Sequence, residues 1–528
     1  MLTVKPANDK PTVQLVWFKR DLRLADHAPL FHAAKAGSCL CVYCFEPELL
    51  AADDYDPTHL RFIQQCLNDL DQQLRGVGSQ LVIRFGNFPE ALQQLSESVS
   101  LQTIWAYEET GNWLSYQRDR RVRAWSRARR VRLVEFPSNG VVRRLASRDR
   151  WAAKWQDRMT APLIPAVSAV PTFDWEQTSL TFAALDQRSK LEQWLAESPL
   201  WRSKPDHGKE HPRQSGGAPA AVEVLNSFLH QRGQCYRSEM SSPLTGQHSC
   251  SRISPYLAWG CLSVRQVFQA VQNRSQALKS DQRLPKTERT LWLSSLSSFR
   301  SRLAWHCHFI QKLEDEPTIE FQNMNRAYDG LREAEFDEAR FAAWCEGRTG
   351  YPMIDACMRS LLQTGWLNFR MRAMLVSFAA YHLWLHWERP ARYLARLFLD
   401  YEPGIHYSQF QMQSGVTGIN TIRIYSPAKQ LKDQDPRGDF VRRYVPELAD
   451  VPDKYLAEPH QMNPMEQALF GCRIGSDYPA PIVDHATAYR TAQQRIRDHK
   501  NRPETTAASN AVYLKHGSRT RKGRHRSR

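Results

Sequence analysis

The first ~140 residues alternate short apolar runs with amphipathic helical stretches, and this limits the fold more than any other feature of the chain. Strand-like runs occupy 13–18, 39–45, 80–85, 103–107 and 131–136. Helical patterns fit between them, for example at 58–75 and 113–130. Strands separated by helices cannot pair as tight hairpins. They need crossover connections, which predicts a parallel, doubly wound sheet. No G-x-G-x-x-G follows the first run, so the usual dinucleotide fingerprint is missing.

From about residue 145 to 217 the periodicity weakens. Prolines at 162, 165, 171, 199, 205, 212 and 219, with HGKEHPRQSGG, read as a long linker. After residue 220 the pattern is helical to about 398, which predicts an all-helical second domain. The end, LKHGSRTRKGRHRSR, has almost no apolar content and predicts disorder. The expected organisation is an α/β domain over 1–145, a linker over 146–219, a helical domain over 220–494 and a basic disordered tail over 495–528.

Lys and Arg total 71 against 55 Asp and Glu, a formal net charge of +16. Such an excess favours a polyanionic partner, nucleic acid ahead of an acidic membrane. No apolar run approaches a membrane span, and MLTVKPANDK has no apolar signal region. The chain is therefore expected in the cytoplasm, or in the nucleus of a eukaryotic host, away from membranes. Eleven scattered cysteines form no disulfide framework. Cys41 and Cys44 lie in CLCVYCF, which reads as a buried strand. Only Cys472 follows Cys357, so four clustered thiolates for an iron–sulfur centre are absent there. His306, Cys307 and His308 diverge on a helix, so no metal site is expected.

Residues 346–374, EGRTGYPMIDACMRSLLQTGWLNFRMRAM, pack arginines, aromatics and turn glycines together. Gly347, Gly350 and Pro352 mark a loop. A helix is predicted from Met353, with Asp355 and Arg359 paired at i,i+4. A second is predicted from about Asn368 to His386, with Arg372, Val376, Ala380, Leu383 and Trp387 on one face. A guanidinium leading that stripe suits an anion at a pocket mouth, or snorkels from a core helix. In SCSRISP, Ser254 suits a helix N-cap and Pro255 the first helical position. Hydroxyls, free N–H groups and Arg252 make either an anion site or an ordinary capped helix.

The same 346–374 block resembles the flavin-binding core of the photolyase and cryptochrome family, FAD-dependent blue-light flavoproteins. LVWFKRDLRLADHAPL (15–30) resembles that family's first strand and turn, and IRIYSPAKQLKDQDPRGDFVRRYVPEL (422–448) the far end of its flavin domain. The blocks lie in the family's order, and the resemblance spans roughly 13–482. It implies an antenna-type α/β domain, in which some relatives hold a second chromophore, here of unassigned identity. It also implies a larger helical domain that binds FAD.

The resemblance further implies roles for individual residues. Tyr236, Cys250, Ser251, Arg252, Ile253 and Ser254 fall at the flavin-phosphate contacts, with Phe299 and Phe369 in the same cofactor set. Arg372 and Asp400 match a pair set against the flavin ring, where a guanidinium eases the holding of a reduced, anionic flavin. Glu402 matches a second acidic position. His406 stands where an asparagine usually faces flavin N5, and Cys250 where threonine is common. Trp305 matches an aromatic that stacks on a flipped pyrimidine pair. Arg302 replaces a glutamate that contacts the damaged bases, a charge reversal. Arg348, Arg370, Arg423 and Lys429 could hold DNA phosphates.

Relatives carry electrons to the flavin through tryptophans. Trp387 matches one of these, but Phe410 stands where the tryptophan nearest the flavin is usual. Trp384 or Trp366 could serve as a bypass, with Tyr328 at the surface end. The implied activity is photolyase repair of pyrimidine dimers in ultraviolet-damaged DNA, by electron transfer from excited reduced FAD in a monomer. The alternatives are a cryptochrome-type photoreceptor without repair and a basic binding protein without photochemistry. Arg302 and His406 favour the photoreceptor or an unusual lesion.

Overall fold

The computed structural model describes residues 10–172, 181–206 and 213–518. Five strands, β1 (Thr12–Phe18), β2 (Cys39–Phe45), β3 (Leu81–Phe85), β4 (Ser100–Tyr107) and β5 (Arg132–Phe136), form one parallel sheet in the order β3-β2-β1-β4-β5. This is the expected doubly wound sheet. In β1 and β2 alternate residues serve opposite faces. Val13, Leu15, Trp17, Leu40, Val42 and Cys44 pack under the helices Phe88–Ser98 and Trp113–Arg129. Val16, Phe18, Cys39, Cys41, Tyr43 and Phe45 pack under Ala28–Ala36 and Pro57–Gly76. Both faces are covered, so these strands read as unbroken apolar runs.

The second core does not stop at the α/β domain. It continues into Trp259, Phe268, Trp292, Leu296 and Phe299 of the helical remainder. At the junction two backbones touch. Gly260 has φ +71°, and a Cβ there would stand 2.2 Å from the Arg20 carbonyl. Glycine is required by both the left-handed conformation and the close approach.

The region expected as a linker contains packed structure. Helix Trp151–Thr160 buries Trp151, Trp155 and Met159 in that shared core, and Arg188–Glu197 follows. Of HGKEHPRQSGG, residues 207–212 lie outside the described residues. The tail expectation needs correction as well. Helices His485–Lys500 and Pro503–His516 pack on the domain through buried Ala492, Ile496, His499, Thr505 and His516. Only 519–528 of that stretch lie outside the described residues.

Two local expectations also fail. Asp355 does not pair with Arg359. It accepts from Thr349, Gly350 and the Tyr478 hydroxyl, while Arg359 grips Glu447. The helix carrying Arg372 spans only Phe369–Ser377 and widens into a π-turn over Phe378–His382. Trp384 then turns left-handed at φ +55°, so Trp387 leaves that face. Among the described residues no helix is long and apolar enough to cross a membrane.

Candidate cofactor and substrate site

The Arg372 guanidinium meets Asp400 as a two-pronged fork, Nη1 to Oδ1 at 3.0 Å and Nη2 to Oδ2 at 2.9 Å. Its Nε donates to the Leu367 carbonyl at 2.8 Å, and its face lies 4.0 Å over the Phe398 ring. Five-donor planar geometry makes such a pair rigid. Burial pushes the Asp400 carboxyl up, but Arg372 and the Ser254 hydroxyl outweigh it and leave it below its ordinary value.

Ser254 therefore faces Asp400. The short helix Ser254–Ala258 begins one residue earlier than expected, with Ile253 in the cap position. Arg252 is held at φ +60°. Its guanidinium lies 4.1 Å over Trp366 and bonds Gln214. Burial lowers its pKa to about 10. Arg232 donates to the carbonyls of Val224, His248, Cys250 and Ser251. Three guanidiniums, 232, 252 and 372, act on the Cys250 thiol against the Glu239 carboxylate, and Asp400 acts on Arg252. Asn368 uses its amide donors on Met240 and Ser241, and its buried Oδ1 has no partner. A cationic excess beside an unused polar atom fits an anionic dinucleotide such as FAD.

Glu402 is set apart from this cluster. It turns to Arg20, after β1, at 2.9 Å, and burial raises its pKa to about 7. His406 is buried between the rings of Phe398, Tyr401, Tyr407 and Phe410. Burial lowers its pKa to about 4.

The 30-residue helix Lys286–Asp315 carries Phe299, Arg302 and Trp305. Phe299 meets the Tyr236 ring edge-on at 5.9 Å, and the nearby Arg302 guanidinium opposes the upward push of burial on the Tyr236 phenol. Trp305 is 41% exposed and stacks on Phe309 at 5.8 Å. Phe369, at the start of the Arg372 helix, is 52% exposed. Arg423 and Lys429 are exposed, as is Arg348, which pairs loosely with Glu346 at 3.5 Å; Arg370 is half-buried.

Residues 14–148 match the family described as DNA photolyase, and residues 299–498 match the FAD binding domain of DNA photolyase. The chain belongs to the photolyase/cryptochrome family. It is 28% identical to a cryptochrome DASH of Gloeobacter violaceus, over 97% of this chain and 99% of that protein. It is 27% identical to a deoxyribodipyrimidine photo-lyase of Alkalihalophilus pseudofirmus, over 91% of this chain and 97% of that one. A Synechocystis cryptochrome structure superposes with TM-score 0.79 at 23% identity, covering 92% of this chain and 99% of that one. An archaeal photolyase from Sulfolobus tokodaii, solved with two FAD molecules, superposes with TM-score 0.70 at 22% identity, covering 92% and 99%. Both photolyases and cryptochromes are thus among its relatives.

The family's aromatic positions are arranged unevenly. Trp387 is buried and donates Nε1–H to Asn323 at 2.7 Å. Trp384 is clamped between two guanidiniums, Arg332 at 4.5 Å and Arg495 at 4.4 Å. Tyr328, expected at the surface, is 1% exposed and lies under His499 of the C-terminal helices.

Sequence reasoning missed a second cleft. It encloses about 800 Å³, open mouth included, at the carboxyl ends of β1, β2 and β4. The sheet order reverses between β1 and β4, and ligand crevices form at such switch points. Its walls include Trp17, Tyr43, Leu50, Trp259 and Tyr401, with Asp54 at one side. The buried Trp259 Nε1–H has no partner. The strand order that creates this crevice is a tertiary property with no local sequence signal.

Proposed function

We propose that this chain is a light-driven FAD flavoprotein that repairs pyrimidine dimers in ultraviolet-damaged DNA, acting as a monomer in the cytoplasm or in a eukaryotic nucleus. The carrying observation is the Arg372–Asp400 fork within a cluster of excess guanidiniums, on a helix that starts with the exposed Phe369. Bound FAD would supply light absorption and one-electron chemistry. Arg372, kept oriented by Asp400, stabilises negative charge on the ring system. Arg252, Ser251 and the free Asn368 oxygen receive the polar remainder. Trp305 offers a flat, solvent-facing surface on which flipped bases stack, since a lesion within the duplex is out of reach. Arg348, Arg370, Arg423 and Lys429 grip flanking phosphates. The apolar, tryptophan-lined cleft beside β1 suits a second planar chromophore.

An absorption spectrum of purified protein, followed by illumination with ultraviolet-damaged DNA, tests the proposal. Flavin bands and loss of dimers are expected; protein that cannot be loaded with FAD overturns it. One observation favours the photoreceptor reading instead: Arg302 puts a cation, beside Tyr236, where a lesion-binding carboxylate is usual. Flavin binding with dimers left intact under light would select that reading.

A further inference from the structure

A pair of buried phenols lies at the junction of the two domains. Tyr401, the residue after Asp400, donates its hydroxyl to Asp54 Oδ2 at 2.6 Å. Its oxygen is 3.4 Å from that of Tyr407. Asn112 Nδ2 holds the same Asp54 oxygen at 3.1 Å. Burial, with Asp54 and Glu320 nearby, raises both phenol pKa values. The rings form a continuous series. Tyr401 and Tyr407 each pack edge-on against His406, at 5.3 and 5.4 Å, and Tyr407 lies 6.4 Å from Trp387.

The electrostatics separate this series from the other aromatic routes. An indole that loses an electron becomes a cation, and a guanidinium on its face opposes that loss. Trp384 carries two such guanidiniums and Trp366 one. Phe410 has no polar group to share the charge and no proton to release. A buried phenol is oxidised readily only when its proton can leave at the same time. Tyr401 has a carboxylate already in hydrogen-bond contact, in surroundings rich in carboxylate, so its proton has a destination.

We propose that Tyr401 is the electron donor to the flavin, with Asp54 as its proton acceptor and Tyr407 as its link to Trp387. The proposal rests on the FAD reading above. Tyr401 would give up one electron, which bound, light-excited oxidised flavin would accept. The O–H bond breaks, and the proton passes to Asp54 Oδ2. A neutral phenoxyl radical and a neutral carboxylic acid remain. One electron returned through Tyr407 from Trp387, and ultimately from an external thiol, together with the proton on Asp54, restores the phenol. The thiol is oxidised and the flavin reduced.

The test uses FAD-loaded protein, with flavin content measured by absorbance. Samples frozen under illumination are examined by electron paramagnetic resonance, and photoreduction with an external thiol is timed in parallel. The unmodified protein is expected to give a neutral tyrosyl signal. Tyr401→Phe should lose that signal and slow photoreduction about tenfold per flavin bound. Asp54→Asn, which keeps the phenol but removes the base, should also weaken the signal and slow the reaction. Unchanged signal and rate in both variants, with FAD bound, overturns the relay and leaves the flavin reading standing. Protein that takes up no FAD overturns both.

Discussion

His406 donates its Nε2–H to the Ala391 carbonyl at 2.8 Å. A carbonyl can only accept, so this contact assigns the tautomer and leaves Nδ1 as the ring's lone-pair nitrogen. Burial holds the imidazole pKa near 4, so the ring is neutral across the physiological range. An asparagine at this position could offer a donor where the imidazole offers only a lone pair.

The first prediction concerns this ring. Flavin photoreduction in the wild-type protein should show no step near pH 6.5, the ordinary histidine value. His406→Asn should change which flavin redox form persists in air, while its pH profile stays parallel to the wild type. A step near pH 6.5 that disappears in the variant would mean the imidazole is charged in the folded protein.

Asp400→Ala should loosen FAD and destabilise the fold by about 3 kcal/mol at pH 7, because a largely buried guanidinium loses its counter-charge. The sign with pH follows from the lowered Asp400 pKa. On acidification the unfolded chain takes up this proton before the folded one. The pair's stabilisation is therefore complete above the ordinary aspartate pKa of 3.8 and fades as pH falls through the lower folded value. Denaturant titrations should show the gap between wild type and variant closing below about pH 4.

Trp305 is exposed although large and aromatic, which suits a stacking platform. Trp305→Ala should weaken binding to ultraviolet-damaged DNA by about tenfold or more, since stacking is worth about 1–3 kcal/mol per base. Binding to undamaged duplex should barely change. Filter binding at fixed salt with both DNAs measures the difference; equal losses on the two would argue against a damage-specific contact.

Two truncations should behave differently. Ending the chain after Ser518 removes the basic run RTRKGRHRSR and none of the packed helices. Stability should hold, while binding to undamaged DNA weakens and its salt dependence becomes shallower. Ending it before Arg495 removes the bonds of His499 to Ala327, Ser509 to Asn325 and His516 to Glu316. It also uncovers Tyr328 and Trp384. That shorter chain should melt several degrees lower, as a thermal scan would show.

The strands, the long helices and the family blocks were legible in the amino-acid sequence. Runs such as CLCVYCF are apolar because both faces of a central parallel strand are buried, and helical periodicity is written in residues three or four apart. Arg372, Asp400 and Trp305 could be named from the ordered family blocks. The packed helix Trp151–Thr160 and the C-terminal helices were not legible. Their burial depends on surfaces far away in the chain: Trp155 on Phe268, His516 on Glu316. Composition alone read them as loose. The Asp54–Tyr401 contact joins residues 347 positions apart. The two guanidiniums on Trp384 come from Arg332 and Arg495. Neither the proton acceptor of a buried phenol nor the charge over an indole face is a local property of the chain. Both arise only when the sheet, its switch-point cleft and the helical domain are packed together.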